Sequence, residues 1–206
     1  MPDIDLHITD RIWWLTTKPK RVKIAVGGRG SAKSIGIGDI MLMYCDKGER
    51  ICCAREFQKS IDESVHESLK QEILRLGAGG FHITKTEIRH HNGGRIFYKG
   101  LALNITSLKS LAGVKRLWIE EGESVSDSSL TVLTPSIRST AAANQGDEEP
   151  PEIWVSMNRG SRAGAIAVKY LERAERDLAR QGYYEDDLCM IVDVNWRDNP
   201  WFPPEL

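Results

Sequence analysis

Eight consecutive residues carry the first chemical signal: Gly27-Gly28-Arg29-Gly30-Ser31-Ala32-Lys33-Ser34. Gly, four free positions, Gly, Lys and then Ser or Thr is the pattern of a loop that wraps phosphate oxygens with backbone N–H groups. Gly27 opens the pattern and Lys33-Ser34 close it, with Ala32 where the second glycine belongs. In such a loop Lys33 reaches the β and γ phosphates of a nucleotide and the Ser34 hydroxyl ligates Mg²⁺. Ala32 weakens the match only where the backbone must take a positive φ, which glycine adopts freely and alanine does not. The plain alternative is a glycine-rich turn between a strand and a helix.

Hydrolysis needs more than a phosphate loop. It needs an acid that holds the metal and a second carboxylate that orients or deprotonates water. The run "RLWIEE" supplies Glu120 and Glu121 at the end of an apolar stretch. Glu120 is the candidate metal acid, a departure from the commoner Asp, and Glu121 the candidate base. The alternative makes these solvated carboxylates capping the next helix, with Glu123 the readiest example. Arg29 is a third chemical candidate, because the wrapping of phosphates needs only small residues. Its guanidinium can swing toward a γ-phosphate, or else face solvent or pair with a neighbouring acid.

These side chains need strands and helices to position them. "RVKIAV" (21–26) reads as a strand ending in the glycines, and 34–48 as a helix stopped at Asp46-Lys47-Gly48. Gly36 and Gly38 inside that helix each cost about 1 kcal/mol against Ala, which implies close packing on a sheet. A second strand is expected over 50–55 and a helix over 60–76. An alternating run around Asn92-Gly93 (82–101) predicts a hairpin. Further along, 115–123 reads as a buried strand, 127–139 as helical, and 140–151 as a surface loop with nothing to build a core. Then 152–158 is a strand, 163–182 an amphipathic helix closed by glycine, and 188–196 a last apolar run before a Pro-rich end. Strands alternating with helices predict an α/β domain with a mainly parallel central sheet, helices on both faces and a β-hairpin insertion.

Bulk properties narrow the class. A chain of 206 residues with 41% hydrophobic and 28% charged content suits one large globular domain. The net charge of −1 excludes a wholly basic binder, though local patches remain open. No signal-peptide pattern opens the sequence, and no apolar run approaches the ~20 residues that span a bilayer. Cys45, Cys52, Cys53 and Cys189 lack metal-ligand spacing and read as buried, reduced thiols. His90-His91 beside "NGG" reads as a hairpin end rather than a metal site.

The stretches "GGRGSAKS", "ICCAREFQKSIDESV", "SLKSLAG", "LWIEEGESVS", "IWVSMN" and "VNWRDNPWFP", in this order, resemble the ATPase domain of tailed-phage terminase large subunits. These proteins are the motors that pump DNA into procapsids. The similarity extends over nearly the whole chain, and "ARE…S…S" and "DNP" are its more specific parts. The resemblance implies an additional-strand P-loop NTPase fold, ATP with Mg²⁺, and hydrolysis that powers translocation of double-stranded viral DNA. It also implies a homo-oligomeric ring on the portal, a small terminase subunit as partner, and the cytoplasm of the infected bacterial host as location.

Residue by residue, the resemblance matches Gly28, Arg29, Gly30, Ser31, Lys33 and Ser34 to the phosphate loop, with Ala32 between them. It matches Glu120 to the metal acid with Ser34, Glu121 to the catalytic base, and Arg29 to an arginine finger acting in cis. Ser156 to Asn158 match the coupling motif, after which the family usually continues Asn-Pro where this sequence has Arg159. Arg21 and Trp13-Trp14 fall where the family's N-terminal segment approaches the base. Family members normally carry a nuclease domain after the ATPase. Residues 1–206 are expected to be one ATPase domain without it, because no further acidic cluster follows Asn199-Pro200.

Two other functions compete. A P-loop kinase would pass the γ-phosphate to a small acceptor and has no need for Glu121 beside the metal acid. A non-hydrolysing, nucleotide-binding assembly module would tolerate Ala32. For DNA, a basic face including Lys109, Lys115, Arg138, Arg159 and Arg162 is expected, since none of these has an evident structural duty.

Overall fold

The computed structural model describes residues 6–57, 59–102, 111, 113–137, 150–160 and 162–203. Lys109 and Arg138, nearly all of the 140–151 segment and most of "SLKSLAG" lie outside the described residues. Nine strands form one sheet: β1 (Val22–Gly27), β2 (Arg50–Arg55), β3 (Phe81–Ile83), β4 (Glu87–His90), β5 (Arg95–Gly100), β6 (Arg116–Glu120), β7 (Glu152–Asn158), β8 (Tyr183–Glu185) and β9 (Cys189–Val194). Their order is β3-β4-β5-β2-β6-β7-β1-β9-β8. The run β5-β2-β6-β7-β1-β9 is parallel, and antiparallel strands extend each edge. β7 separates the strand leading into the phosphate loop from the strand carrying Glu120, as an additional-strand NTPase requires. The hairpin falls at Asn92-Gly93 as its sequence demands, with β3 added as a third, edge strand.

Helices cover both faces. α1 (Asp10–Trp14), α2 (Lys33–Asp46) and α3 (Lys59–Leu76) pack Ile12, Ile37, Ile40 and Leu69 onto Trp118 and Trp154 on one side. On the other, α4 (Asp127–Ser136) and α5 (Glu172–Gln181), with the turn before α5, cover Ile24, Ile119 and Ile191 with Leu130, Leu178 and Tyr170. Strand side chains alternate between faces, so β1 gives Val22, Ile24 and Val26 to one core and Ala25 to the other. α5 is preceded by a π turn over Ala167–Leu171 and stops at Gly182, whose φ of 79° lets its N–H close on Leu178. The α2 glycines pack differently from expectation. A side chain at Gly36 would meet Ile12 and the His7 carbonyl, and one at Gly38 would meet Leu69. Neighbouring helical and N-terminal segments, more than the sheet, exclude a side chain there.

The end of the sheet away from the phosphate loop is pinned by charge. Lys23 lies 2.7 Å from Glu152, both almost fully buried, and Arg116 lies 3.4 Å from the same carboxylate. Trp154 Nε1 donates to Glu152 at 2.8 Å. One buried carboxylate thus ties β1, β6 and β7 in register. Arg21 also sits at this end, donating to the carbonyls of Pro151, Thr134 and Ile137. It therefore does not approach a bound base, contrary to expectation. Trp13 and Trp14 are partly exposed and Trp14 meets Tyr183 edge-on, so α1 turns Ile12 and Leu15 inward instead. All four cysteines are free and buried, as their spacing suggested.

Asp39 on α2 is fully buried. It accepts from the His7 N–H at 2.8 Å and from Arg75 at 3.3 Å, while Oδ1 has no partner among the described residues. Burial pushes its pKa from 3.8 to about 6, with nearby Glu72 adding and His7 and Arg75 opposing. A carboxyl raised on folding binds more protons folded than unfolded between the two values. Its contribution to stability therefore falls as pH rises from about 4 to about 6 and is level above. Urea unfolding of Asp39→Asn and wild type should show the difference moving in the variant's favour by about 2–3 kcal/mol between pH 4 and 7. A difference independent of pH contradicts this reading of Asp39.

Candidate functional site

The C-terminal ends of parallel strands gather loops on one edge, where ligands of open α/β sheets bind. β1 ends at Gly27, β6 at Glu120, β7 at Asn158, and β9 at Val194. Gly27 has no room for a side chain because the Val194 carbonyl of β9 lies against it. The strand register pairs Gly27 with Asn158 and Glu120 with Ser156. A cleft of about 330 Å³ opens there. Arg29, Gly30, Ser31, Ala32, Lys33 and Ser34 line one side, and Glu120, Glu121, Glu123, Ser156 and Asn158 the other. Gly28 belongs to the same loop, its carbonyl turned to Lys33. The structure thus brings the sequence-predicted residues around one cleft.

α2 begins at Lys33, so its N-terminus faces the cleft. That end carries partial positive charge and unpaired N–H groups suited to an anion. The Lys33 ammonium folds into the loop, donating to the Gly28 carbonyl at 2.5 Å and the Ser31 hydroxyl at 2.8 Å. Burial lowers its pKa, while Glu123, Asp193 and Glu120 act in the opposite direction. Ala32 does take the positive φ that its pattern left open, at 57°. The loop keeps its course with a non-glycine residue in the left-handed region, at a cost of order 1 kcal/mol.

Glu120 is the buried centre of the acidic side. Its Oε1 accepts from the Ser34 hydroxyl at 2.9 Å and its Oε2 from Arg55 Nε at 2.5 Å. Burial raises its pKa, and Arg55 and Ser34 pull it back. Ser34 and Glu120 together present hard oxygen donors of the kind that suit Mg²⁺. Glu121 takes a left-handed backbone (φ 54°, ψ 48°) and half exposes its carboxylate at the cleft. Arg29 is exposed on the cleft and has no ion pair among the described residues.

Glu123 departs from the solvated, helix-capping reading. Ser126 caps α4, accepting from Ser129 N at 3.2 Å. Glu123 instead accepts from the Asn158 N–H at 3.0 Å and from its Nδ2 at 2.9 Å. Ser156 accepts from the buried Trp118 Nε1 at 2.9 Å. The β7 end is thereby tied to the acidic loop. Arg55 lies within "ICCAREFQKSIDESV", and only its place at the end of the strand beside β6 reveals its contact with Glu120. A smaller recess of about 220 Å³ adjoins the loop, lined by His7, Ile35, Trp201, Phe202 and Pro203. Asn199 Nδ2 donates to the Gly30 carbonyl at 2.7 Å, and Phe202 packs where a Gly30 side chain would stand.

Among the described residues the basic face expected from the sequence does not assemble. Lys115 precedes β6 and Arg159 follows β7, and these strands are parallel, so the two lie at opposite ends of the sheet. Arg159 pairs with Asp193 and Arg162 with Glu175, each at 2.7 Å, so both have partners the sequence did not reveal.

A family model described as phage terminase large subunit matches residues 19–206. The chain is 30% identical over 124 residues to the PBSX phage terminase large subunit of Bacillus subtilis (strain 168), covering 58% of this chain and 28% of that one. Among solved structures, the large terminase of a thermophilic bacteriophage aligns with a TM-score of 0.67 at 14% identity, covering 96% of this chain and 48% of that one. The same thermophilic-phage protein has also been solved in complex with ADP and with ATP-gamma-S. The N-terminal domain of the DNA packaging ATPase from bacteriophage phi29 aligns with a TM-score of 0.64 at 11% identity, covering 90% of this chain and 94% of that one. The chain thus spans about a quarter of the PBSX relative and about half of the thermophilic-phage terminase.

The strain at Ala32 has a direct test. Ala32→Gly relieves the left-handed penalty but loosens the unfolded chain. With about 1 kcal/mol of strain relieved against about 0.4–1 kcal/mol of added unfolded-chain entropy, the variant should be neutral or up to about 0.5 kcal/mol more stable in urea unfolding, and a loss of about 1 kcal/mol would show that the loop holds Ala32 without strain.

Proposed function

The chain belongs to the phage terminase large-subunit family, and we propose that residues 1–206 act as a motor ATPase domain that drives double-stranded viral DNA into a procapsid. The observation that carries this reading is the Ser34–Glu120 hydrogen bond at the head of the phosphate loop, with Glu121 beside it on the cleft. In this reading the triphosphate lies along the loop, and Lys33 exchanges its contacts to Gly28 and Ser31 for β and γ oxygens. Ser34 and Glu120 would hold Mg²⁺, which would supply positive charge to offset that of the β and γ phosphates. The adjoining recess, ringed by His7, Trp201 and Phe202, receives the nucleotide base by stacking.

Glu121 takes the proton of the attacking water. Its half-exposed position lets water reach it, which the buried Glu120 does not offer. Arg29 supplies a guanidinium to the γ-phosphate, where charge builds in the transition state. Ser156 and Asn158 couple the cleft to the sheet through Trp118 and Glu123. The nucleotide complexes of the thermophilic-phage terminase support ATP as substrate, and the named role of the phi29 domain supports packaging. The further parts of the reading are a homo-oligomeric ring on the portal, a small terminase partner and action in the cytoplasm of the infected host.

Steady-state phosphate release, with and without DNA, tests the proposal. Wild type should turn over ATP only with Mg²⁺. Lys33→Ala should abolish or severely weaken nucleotide binding in a calorimetric titration. Glu121→Gln should bind nucleotide almost normally and lose about 10²–10⁴-fold in turnover. Arg29→Ala should lower kcat by at least about 100-fold with KM little changed, and Arg29→Lys should not restore it. Unchanged affinity in Lys33→Ala, or turnover in Glu121→Gln within about threefold of wild type, would overturn the assignment. Transfer of the phosphate to an added acceptor rather than to water would favour a kinase.

A further inference from the structure

We infer that Asp39 is a positioning residue for nucleotide binding: from α2 it holds the His7 backbone, and through it one wall of the recess beside the phosphate loop. The inference rests on the proposed reading, which seats the base in that recess, and adds a residue to it. The recess has walls from two distant segments, and each wall hangs on one side chain. Trp201 and Phe202 follow Asn199, whose Nδ2 donates to the Gly30 carbonyl at 2.7 Å and whose Oδ1 accepts from the Trp201 N–H at 3.0 Å. That wall is tied directly to the loop. The facing wall is His7, whose ring centroid lies 4.4 Å from that of Trp201 with the planes 42° apart.

Residues 6–8 belong to no helix or strand. Among the described residues their one hydrogen bond runs from the His7 N–H to Asp39 Oδ2, at 2.8 Å. Ile35, Gly36 and Asp39 share one face of α2, at the spacing of helical neighbours. Ile35 lines the recess, a side chain at Gly36 would meet the His7 carbonyl, and Asp39 takes the His7 N–H. The bare backbone at Gly36 thus admits the segment, and the carboxylate one turn on fixes it. Arg75 of α3 reaches the same oxygen at 3.3 Å, so the anchor is itself held. A leucine at this fully buried position would avoid the cost of taking a charge out of water, but it would leave the His7 N–H without its acceptor.

A wall fixed before the ligand arrives needs no ordering on binding. Without Asp39 the base must itself order residues 6–8, whereas the phosphates keep Lys33 and the loop. The loss therefore falls on ligands that carry a base. It falls alike on ground and transition states, so KM rises and kcat barely moves. The test measures Kd for ADP and for inorganic pyrophosphate by calorimetry with Mg²⁺, kcat and KM for ATP, and thermal unfolding. It compares wild type, Asp39→Leu, Asp39→Asn, His7→Ala and the double variant of Asp39→Leu with His7→Ala. Wild type should bind ADP at least about tenfold more tightly than pyrophosphate. Asp39→Leu should weaken ADP binding about tenfold, with pyrophosphate affinity and kcat within about threefold of wild type. Asp39→Asn keeps an oxygen for the His7 N–H and should bind ADP within about threefold of wild type. In the His7→Ala background Asp39→Leu should cost less than about threefold more, because the wall it holds is already gone. Equal losses of ADP and pyrophosphate affinity, or full additivity with His7→Ala, overturn the inference. If Asp39→Leu does not fold, Asp39→Ala takes its place; if neither folds, Asp39 serves the fold and the inference is overturned. A wild type that binds neither ligand and releases no phosphate from ATP sinks the ATPase reading itself. One that binds ADP no better than pyrophosphate takes the base out of the recess, and the inference with it. A wild type that prefers ADP, with that preference intact in Asp39→Leu, sinks only the inference.

Discussion

A carboxylate taken out of water must be matched by donors, and Glu120 is matched by two that come from different elements. Ser34 meets it from the start of α2 and Arg55 from the end of β2. Three segments distant in sequence converge on one pair of oxygens. Burial pushes the pKa of Glu120 up and the two partners oppose that shift. Removing either partner leaves a buried charge only partly compensated, which costs more than the same pair gains in water. The start of α2 and the end of β2 are thereby both tied to the end of β6 through this one group.

The two ends of the sheet are held by different means. At the far end Glu152 gathers Lys23, Arg116 and the Trp154 indole in nearly complete burial. At the cleft one link joins two strands, Trp118 to Ser156, and the others involve the loops: Glu123 to Asn158 and Asn199 to the Gly30 carbonyl. Parallel pairing fixes the rise along β1, β6 and β7. The register set at the far end thereby determines which side chains face one another at the cleft. Phe202 against Gly30 adds a contact between the chain's last described segment and the loop that would carry phosphates. A shift of Gly30 is therefore felt by Asn199 and Phe202.

Much of this was legible in the residue pattern. The β1–loop–α2 unit, the hairpin and the α5 helix follow from periodicity, glycine placement and turn residues, which are local properties. Glu120 and Glu121 could be placed at a strand end, but whether they faced a cleft or solvent depends on sheet order, which no local pattern encodes. The same limit explains Glu123, whose partner Asn158 lies 35 residues away, and Arg55, whose partner lies 65 residues away. Arg21 and the proposed basic face failed for a related reason. Residue type advertises a charge, whereas the end of the sheet it occupies and the acid it meets are set by topology. The short edge strands β3 and β8 carried too few residues for a period to show.

The account centres on Glu120 and Ser34 as the pair that holds a divalent cation beside a nucleotide in the phosphate loop. Mn²⁺ is an anomalous scatterer that accepts the same hard oxygen ligands as Mg²⁺. A crystal structure of the protein with Mn²⁺ and ATP-gamma-S tests the claim most directly. The account predicts an anomalous peak within coordination or water-bridged distance of both the Ser34 hydroxyl and the Glu120 carboxylate, with the phosphates along residues 28–34. Nucleotide density outside that loop, or a metal peak away from both side chains, would contradict it.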